Sequence, residues 1–93
     1  MNVNWTENAI EHLLGIYEYI ARDSPFYAER MVDRLTKRSE QIGVFPHSGR
    51  MVPEYSAVDI REIIEVPYRI IYRIKQDQID VLAVVHGAQL LSL

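Results

Sequence analysis

The chain has 93 residues, of which 48% are hydrophobic and 25% are charged, and this composition excludes intrinsic disorder and indicates one small domain. Its formal net charge of −3 disfavours a general nucleic-acid binder, because such binding depends on cationic side chains that neutralise phosphates. The chain contains no cysteine, which excludes disulfides and thiolate metal sites.

Segments that address a protein to a membrane are also absent from the sequence. No apolar run is long enough to span a bilayer, and the N-terminus lacks the basic and then apolar pattern of a signal peptide. We therefore expect a cytoplasmic protein with no membrane partner. No internal repeat, low-complexity tract or linker interrupts the chain, so residues 1–93 are predicted to form a single domain.

The first predicted elements are a short strand and a helix. Val3 and Trp5 alternate with asparagines, which is typical of a strand, and Thr6 then offers an N-cap oxygen to a helix. Apolar residues follow at the spacing of an amphipathic helix, namely Ala9, Ile10, Leu13, Ile16, Tyr17 and Ile20. Gly15 lies within this helix, where it would allow close packing.

A second helix follows the first as a hairpin. Pro25 disfavours helical geometry at Ser24 but suits the first position of a new helix, with Ser24 as its cap. The apolar stripe of this helix is Ala28, Met31, Val32, Leu35 and Ile42. Residues 45–55, FPHSGRMVPEY, contain two prolines and a glycine and are predicted to be an irregular connection. Within it, Phe45 is expected to fill the space between helix and sheet.

Three runs rich in Ile, Val and Tyr are predicted to be strands, at 60–66, 68–75 and 79–86. The links between them are too short for crossover helices, so consecutive strands must be antiparallel. The predicted fold is therefore α+β, in the order β-α-α-β-β-β: a short strand, then a helical hairpin packed on an antiparallel meander.

The two faces of the middle strand differ in character. Tyr68, Ile70, Tyr72 and Ile74 share one face, and Arg69, Ile71, Arg73 and Lys75 share the other. We expect the helices to cover the first face. The second face would then carry arginines beside exposed aliphatics, and it is where a functional surface is expected.

The residues offer few sites for chemistry. The three histidines have no metal-ligand spacing, and no phosphate-binding loop or activated nucleophile is present, so we expect no metal and no cofactor. One set of residues would suit metal-independent RNA cleavage. In this set Glu54 or Glu65 is the base, His86 is the acid, and Arg61 with Arg69 holds a phosphate. The competing interpretation is a set of cross-strand ion pairs on an exposed face, formed by Arg61, Glu62, Glu65 and Arg69.

Four collinear segments resemble the RelE/ParE superfamily of toxins from type II toxin–antitoxin systems, often labelled plasmid stabilisation proteins. They are WTENAIEHLLGIYEYIARDSP, FPHSGRMVPEY, IREIIEVPYRIIYRI and VLAVVHGAQ, and together they cover nearly the whole chain. The resemblance implies a strand, a helical hairpin and an antiparallel sheet. RelE-like members cut mRNA on the ribosome, whereas ParE-like members poison DNA gyrase. The DSP, FPHSGR and PYRIIYRI segments look more like the ParE group, as does the acidic net charge.

The resemblance also implies candidate site residues. A RelE-like nuclease would use Arg69, His86 and Glu54, but Gln89 stands where many relatives carry arginine, which favours a toxin that is not an enzyme and leaves an inactive relative open. The candidates for contact with gyrase, or with the ribosome and mRNA in the alternative, are Arg50, Arg61, Arg69, Arg73, His86 and Gln89.

A toxin of this kind implies a cognate ParD-like antitoxin as its partner. Ile63, Ile71 and Val84 are expected to be exposed together with an apolar tail, forming a patch larger than a small domain normally leaves bare. The candidate antitoxin-binding residues are Ile63, Ile71, Leu90 and Leu91, with Leu93 extending the tail. An amphipathic segment of the antitoxin is predicted to cover the hairpin and the sheet edge.

Overall fold

The structure is a computed structural model that describes residues 1–89 and residue 91. Its elements are β1 (Asn2–Trp5), α1 (Glu7–Ala21), α2 (Pro25–Val44), a 3-10 turn (Pro46–Ser48), β2 (Arg50–Met51), β3 (Ile60–Glu65), β4 (Tyr68–Ile74) and β5 (Gln78–His86). The predicted α+β class, helical hairpin and strands are confirmed. The short strand β2 is an addition, because residues 45–55 were expected to be irregular throughout. No helix in the described part of the chain is long and apolar enough to cross a membrane.

The five strands form one mixed sheet in the order β1-β5-β4-β3-β2. The pairs β2–β3, β3–β4 and β4–β5 are antiparallel, as the meander requires, whereas β1 lies parallel to β5 with Val3 opposite Ile79. The helical hairpin is part of the long connection that a parallel pair needs. The N-terminal amine donates to the Gly43 carbonyl oxygen at 2.7 Å, which ties β1 to the end of α2.

Both helices begin where their capping residues predict. The Thr6 hydroxyl oxygen accepts from the Ala9 N–H at 3.3 Å, and the Ser24 hydroxyl oxygen accepts from the Tyr27 N–H at 3.2 Å. The Thr6 hydroxyl also donates to the Val81 carbonyl oxygen at 2.7 Å, so this cap joins α1 to β5. The start of α1 is therefore fixed by local and tertiary contacts at once.

The main core lies between the helices and one face of the sheet. Its buried members include Leu35, Ile42, Ile70, Tyr72 and Val81. The Tyr72 hydroxyl is satisfied inside the protein, since it donates to the Pro46 carbonyl oxygen at 2.7 Å and accepts from the Gly49 N–H at 3.0 Å. Phe45, predicted to fill this space, is 67% exposed instead. Tyr72 holds the turn after α2 against the sheet, and Phe45 points away from the core.

Two of the aliphatics that were expected to be exposed lie in this core. Ile63 pairs with Ile70 across β3 and β4, which places Ile63 on the helix-covered face. In β5, Ile71 faces Ala83 while Tyr72 faces Val81, so Leu82 is an extra residue in a β-bulge. Val84 is thereby turned to the helix side, where it is 3% exposed. Register and the bulge, neither of which is visible in the alternation, overturn these two predictions.

The second face of the sheet has a smaller core of its own. Val52, Ile60, Ile71, Ala83 and Val85 are buried there, and Tyr55, Ala57 and Leu91 pack against them. Ile71 has no exposed surface, so its expected exposure is also wrong. The segment between β2 and β3 folds under the sheet and covers this face together with Leu91. Leu90 and Leu93, the other parts of the predicted patch, lie outside the described residues.

Candidate functional site

Arg69 is the centre of the polar site on the second face of the sheet. It lies opposite Val85 on β4 and β5, and only 6% of the residue is exposed. Its Nε donates to Glu62 at 2.7 Å, its Nη1 and Nη2 donate to Glu54 at 3.0 and 2.8 Å, and Nη1 also reaches the Gln89 carbonyl oxygen at 3.2 Å. A further contact of 2.6 Å joins Nη2 to Glu62. All three nitrogens of the guanidinium are thus engaged within the protein, through four hydrogen bonds and one further ion-pair contact.

Glu62 joins Arg69 to a second arginine. Its side chain has no exposed surface, and it contacts the Nε of Arg50 at 2.5 Å through its other carboxylate oxygen. Arg50 lies directly opposite Glu62 across β2 and β3, and its side chain is 66% exposed. Arg50, Glu54, Glu62 and Arg69 are here called the arginine cluster. Two cations and two carboxylates balance one another in it, as burial of charge requires.

The electrostatics of the arginine cluster favour its charged forms. Hydrogen bonds from Arg69 lower the pKa of Glu54 from 4.5 to about 2, against the opposing effect of burial. Hydrogen bonds to Glu54 in turn raise the pKa of Arg69. The Glu54 carboxylate also accepts from the Leu91 N–H at 3.1 Å. A group that holds its proton so weakly is poorly matched to proton transfer near neutral pH, for which the pKa should lie near the working pH.

His86 does not belong to the arginine cluster. It lies opposite Tyr68 on β4, one residue from Arg69 and therefore on the other face of the sheet. The Tyr68 and His86 rings meet edge to face with their centroids 6.0 Å apart, and His86 Nδ1 accepts from the Ala88 N–H at 3.2 Å. The structure therefore brings Glu54 and Arg69 together and separates both from His86, so the predicted acid–base constellation is not assembled.

The remaining predicted residues are distributed around the sheet. Arg61 donates to the Val58 and Gly49 carbonyl oxygens at 3.0 and 3.1 Å, and Arg73 is exposed, 3.5 Å from Asp59. Glu65 pairs with two arginines of α2, Arg34 at 2.7 Å and Arg38 at 3.4 Å. The predicted cross-strand pairing is thus confirmed for Arg69 with Glu62, but the pair is buried and not on an exposed face. For Arg61 and Glu65 the predicted pairing is wrong. Gln89 contributes its backbone carbonyl to Arg69.

A groove that the sequence reasoning missed lies between α1 and the adjoining ends of β4 and β5. It has a volume of about 550 Å³ and contains two histidines, His12 and His86, with Tyr19 and Tyr68. Gly15 faces it. Apart from its two chain neighbours and the backbone of its own helix, no heavy atom of the described residues lies within 4 Å of the position that a Cβ would take there, so Gly15 does not serve close packing within this chain. The spacing of residues 11, 15 and 19, one helical turn apart, is the sequence signal for this wall.

Comparison with known proteins identifies the class to which this fold belongs. The model of the ParE toxin of the type II toxin–antitoxin system, parDE, matches residues 3–91. The toxin RelE2 of Caulobacter vibrioides is 32% identical over 89 residues, which are 95% of this chain and 97% of that protein. The protein Y4kP of Sinorhizobium fredii is 35% identical over 89 residues, 94% of this chain and 88% of that protein.

A solved structure shows the same fold. A chain from the chromosomal ParDE toxin–antitoxin system of P. aeruginosa superposes with a TM-score of 0.77 at 22% identity, covering 92% of this chain and 95% of that one. A helical hairpin on a mixed sheet is thus the fold of a small toxin of the RelE/ParE superfamily. This chain belongs to the ParE toxin family of type II toxin–antitoxin systems.

Proposed function

We propose that this toxin acts by protein contact on DNA gyrase and that a cognate ParD-like antitoxin neutralises it. The observation that carries the choice of gyrase over the ribosome is the position of the nuclease candidates. Arg69 has its donors engaged by Glu54, Glu62 and Gln89, and His86 lies on the opposite face of the sheet. Cleavage of RNA would need these groups to converge on one phosphate. Contact with a protein target has no such requirement.

The exposed cations suit a surface that contacts a target. Arg50 and Arg73 have 66% and 44% of their side chains exposed. Arg69 is buried and contacts Glu62, which also contacts Arg50, so Arg69 helps to position Arg50. Arginine is enriched among the residues that carry binding energy at protein interfaces. In this proposal Arg50 and Arg73 contact gyrase, and Arg69 positions the surface.

A supercoiling and cleavage assay with purified gyrase tests the target. The toxin should trap gyrase on cleaved DNA, and R73A should weaken the trapping while leaving the melting temperature close to that of the wild type. Q76A, a change at an exposed residue of the β4–β5 turn, serves as the control. Cleavage of mRNA on translating ribosomes, lost in R69A or H86A, would replace the proposal with the RelE-like nuclease. No effect in either assay, or on forced expression, would identify an inactive relative.

The antitoxin would cover apolar side chains that the hairpin leaves exposed. Tyr19, Phe26 and Tyr27, around the junction of α1 and α2, are 69%, 62% and 64% exposed. Val66, in the link between β3 and β4, is 70% exposed. Because Ile63 and Ile71 are buried, these residues replace them as the apolar candidates for antitoxin binding. The half-buried Leu91, which packs against the second face of the sheet, remains a candidate.

A further inference from the structure

The groove between α1 and the ends of β4 and β5 has the dimensions of a peptide-binding site. Eight residues separate Glu11 from Tyr19, so its α1 wall is roughly 12 Å long. The opposite wall is formed by Tyr68 on β4 and by Val84 and His86 on β5. The groove is therefore long enough for a peptide segment of about four extended residues or two helical turns.

Gly15 gives the α1 wall a gap at its midpoint. In the interior of a helix, glycine is less favourable than alanine because of its backbone entropy. A Cβ at this position would meet open space, so no contact of the described residues requires the glycine. What the glycine provides is access, because a partner's backbone can approach α1 more closely here than at any residue with a side chain.

The two histidines of the groove are held in place by backbone hydrogen bonds. His12 Nδ1 accepts from the Val84 N–H at 3.1 Å, and His86 Nδ1 accepts from the Ala88 N–H at 3.2 Å. A ring nitrogen that accepts from an N–H has its lone pair engaged within the protein, so the Nδ1 atom of neither ring is available to a ligand.

The charge of the groove is acidic and its far end is aromatic. Glu11 is the one charged side chain among the described residues that line it, and α1 as a whole carries Glu7, Glu11 and Glu18 with no lysine or arginine. At the other end stand Tyr19, Tyr68 and His86. Burial raises the pKa of Tyr68, and the charge of Tyr19, which lines the same groove, raises it further. Carboxylates and tyrosine faces both attract cations.

We propose that this groove binds a basic segment of the antitoxin, with the segment's backbone against Gly15 and its lysine or arginine side chains directed to Glu11 and to the tyrosine rings. The inference rests on the proposed function, in that it takes the antitoxin as the occupant. It goes further because it assigns the contact to this groove, places the antitoxin backbone at Gly15 and gives the antitoxin segment a positive charge.

Substitution of Gly15 separates binding from folding. G15A should raise the melting temperature by about 4 °C, because alanine favours the helix and meets no clash in the free toxin. The same methyl group should weaken antitoxin binding by about tenfold, because it fills the space that the partner's backbone needs. G15L should weaken binding further. Unchanged affinity in both variants would overturn the assignment of the groove.

A matched pair of glutamates tests the sign of the charge. E11Q should weaken antitoxin binding about two- to fivefold at low salt, and added salt should reduce this difference. E18Q removes the same charge from the same helix at an exposed position that does not line the groove, so it should change the affinity by less. If E11Q and E18Q changed the affinity equally, the groove would take a neutral or acidic segment, and the proposal of a basic segment would be overturned.

A small probe tests the groove without the antitoxin. Titration with N-acetylarginine amide should shift the backbone amide resonances of Gly15 and Val84, and N-acetylglutamine amide should shift them much less. If the antitoxin bound G15A, G15L and E11Q as tightly as it binds the wild type, this inference would be refuted and the proposed function would stand. Failure of the antitoxin to bind the wild-type toxin would refute the proposed function, and the arginine probe would then decide the fate of the groove separately.

Discussion

Glu62 shows how a single residue holds together parts of the chain that are distant in sequence. It carries a carboxylate with no exposed surface, and its two oxygens contact Arg50 from β2 and Arg69 from β4. Charged side chains are seldom buried unless they are paired, because removal from water costs more than one weak contact returns. The edge strand β2 is only two residues long, so its attachment to β3 depends strongly on this pair.

Removal of the Glu62 carboxylate should therefore be costly. E62A would leave Arg69 with a buried, partly unpaired charge, and we expect it to lower the free energy of unfolding by about 3–5 kcal/mol. E65A is the control on the same strand. Glu65 pairs with Arg34, whose side chain is 50% exposed, and such a pair contributes about 1 kcal/mol or less. Equal losses in urea unfolding would show that Glu62 has no special role.

Glu54 makes the stability of the protein depend on pH. Its pKa is about 2 in the folded protein and 4.5 ordinarily, so the folded state binds its proton less readily than the unfolded state. The stabilisation is therefore complete above pH 4.5 and is lost as the pH falls from 4.5 to about 2. The pKa of Asp80 is also lowered, chiefly by its contact with Lys75, and its effect has the same sign.

The Glu54 contribution can be isolated by comparing the wild type with E54Q. The melting temperature of the wild type should exceed that of E54Q at pH 7, and the difference should shrink steadily between pH 4.5 and pH 2. The Asp80 contribution is common to both proteins and cancels in the comparison. A difference that stays constant down to pH 2 would mean that the Glu54 carboxylate is not the group responsible.

At the scale of elements, the two helix caps differ in the number of hydrogen bonds that they make. Ser24 caps α2 alone, whereas Thr6 caps α1 and also donates to the Val81 carbonyl oxygen of β5. We expect S24A to cost about 1 kcal/mol and T6A about 2 kcal/mol of unfolding free energy, because T6A loses a second hydrogen bond. T6S keeps the hydroxyl and should recover most of the loss. Chemical denaturation of the three variants measures this, and equal costs for S24A and T6A would show that the Val81 contact adds nothing.

The same elements show which features can be predicted from sequence. Caps and apolar periodicity are local signals, and they place both helices and the four longer strands within two residues of their observed bounds. The pairing of Ile63 with Ile70 and the bulge at Leu82 arise between strands, so alternation within one strand does not reveal them. For this reason the faces of Ile63 and Val84 were mispredicted while the strands themselves were correct.

The candidate site was predictable to a smaller extent. Arg69 with Glu62 is a cross-strand pair, and the proximity of β3 and β4 brings it within reach of sequence reasoning. Glu54 comes from the segment that folds beneath the sheet, and no local pattern indicates that this segment covers Ile71 and Arg69. The groove beside α1 needs the position of β5 against the helix, which the sequence pattern does not specify.

In the whole molecule, the two faces of the sheet are closed in different ways. Helices cover one face with a continuous apolar core, and the segment between β2 and β3 covers the other with a smaller core and the arginine cluster. Six of the twelve large apolar side chains that stay exposed in the described chain lie on the hairpin, and three of these six are the aromatic residues Tyr19, Phe26 and Tyr27. Aromatic side chains are favoured at interfaces, since they bury a large area at a small cost in conformational entropy. The hairpin is therefore the part of the surface with the most to gain from a partner.

Binding of the antitoxin should consequently stabilise the whole toxin. A partner that binds only the folded state adds about 2.7 kcal/mol when its free concentration is a hundred times the Kd, which corresponds to about 10 °C or more in the melting temperature of a chain this small. The combined variant F26S/Y27S should show a smaller gain at the same antitoxin concentration, while its own melting temperature stays near that of the wild type because both side chains are exposed. K37S, at an exposed position farther along α2, is the control. If the wild type gained no thermal stability from the antitoxin, its surface would not be the proposed antitoxin-binding site. If F26S/Y27S gained as much stability as the wild type, the antitoxin would bind away from the hairpin junction.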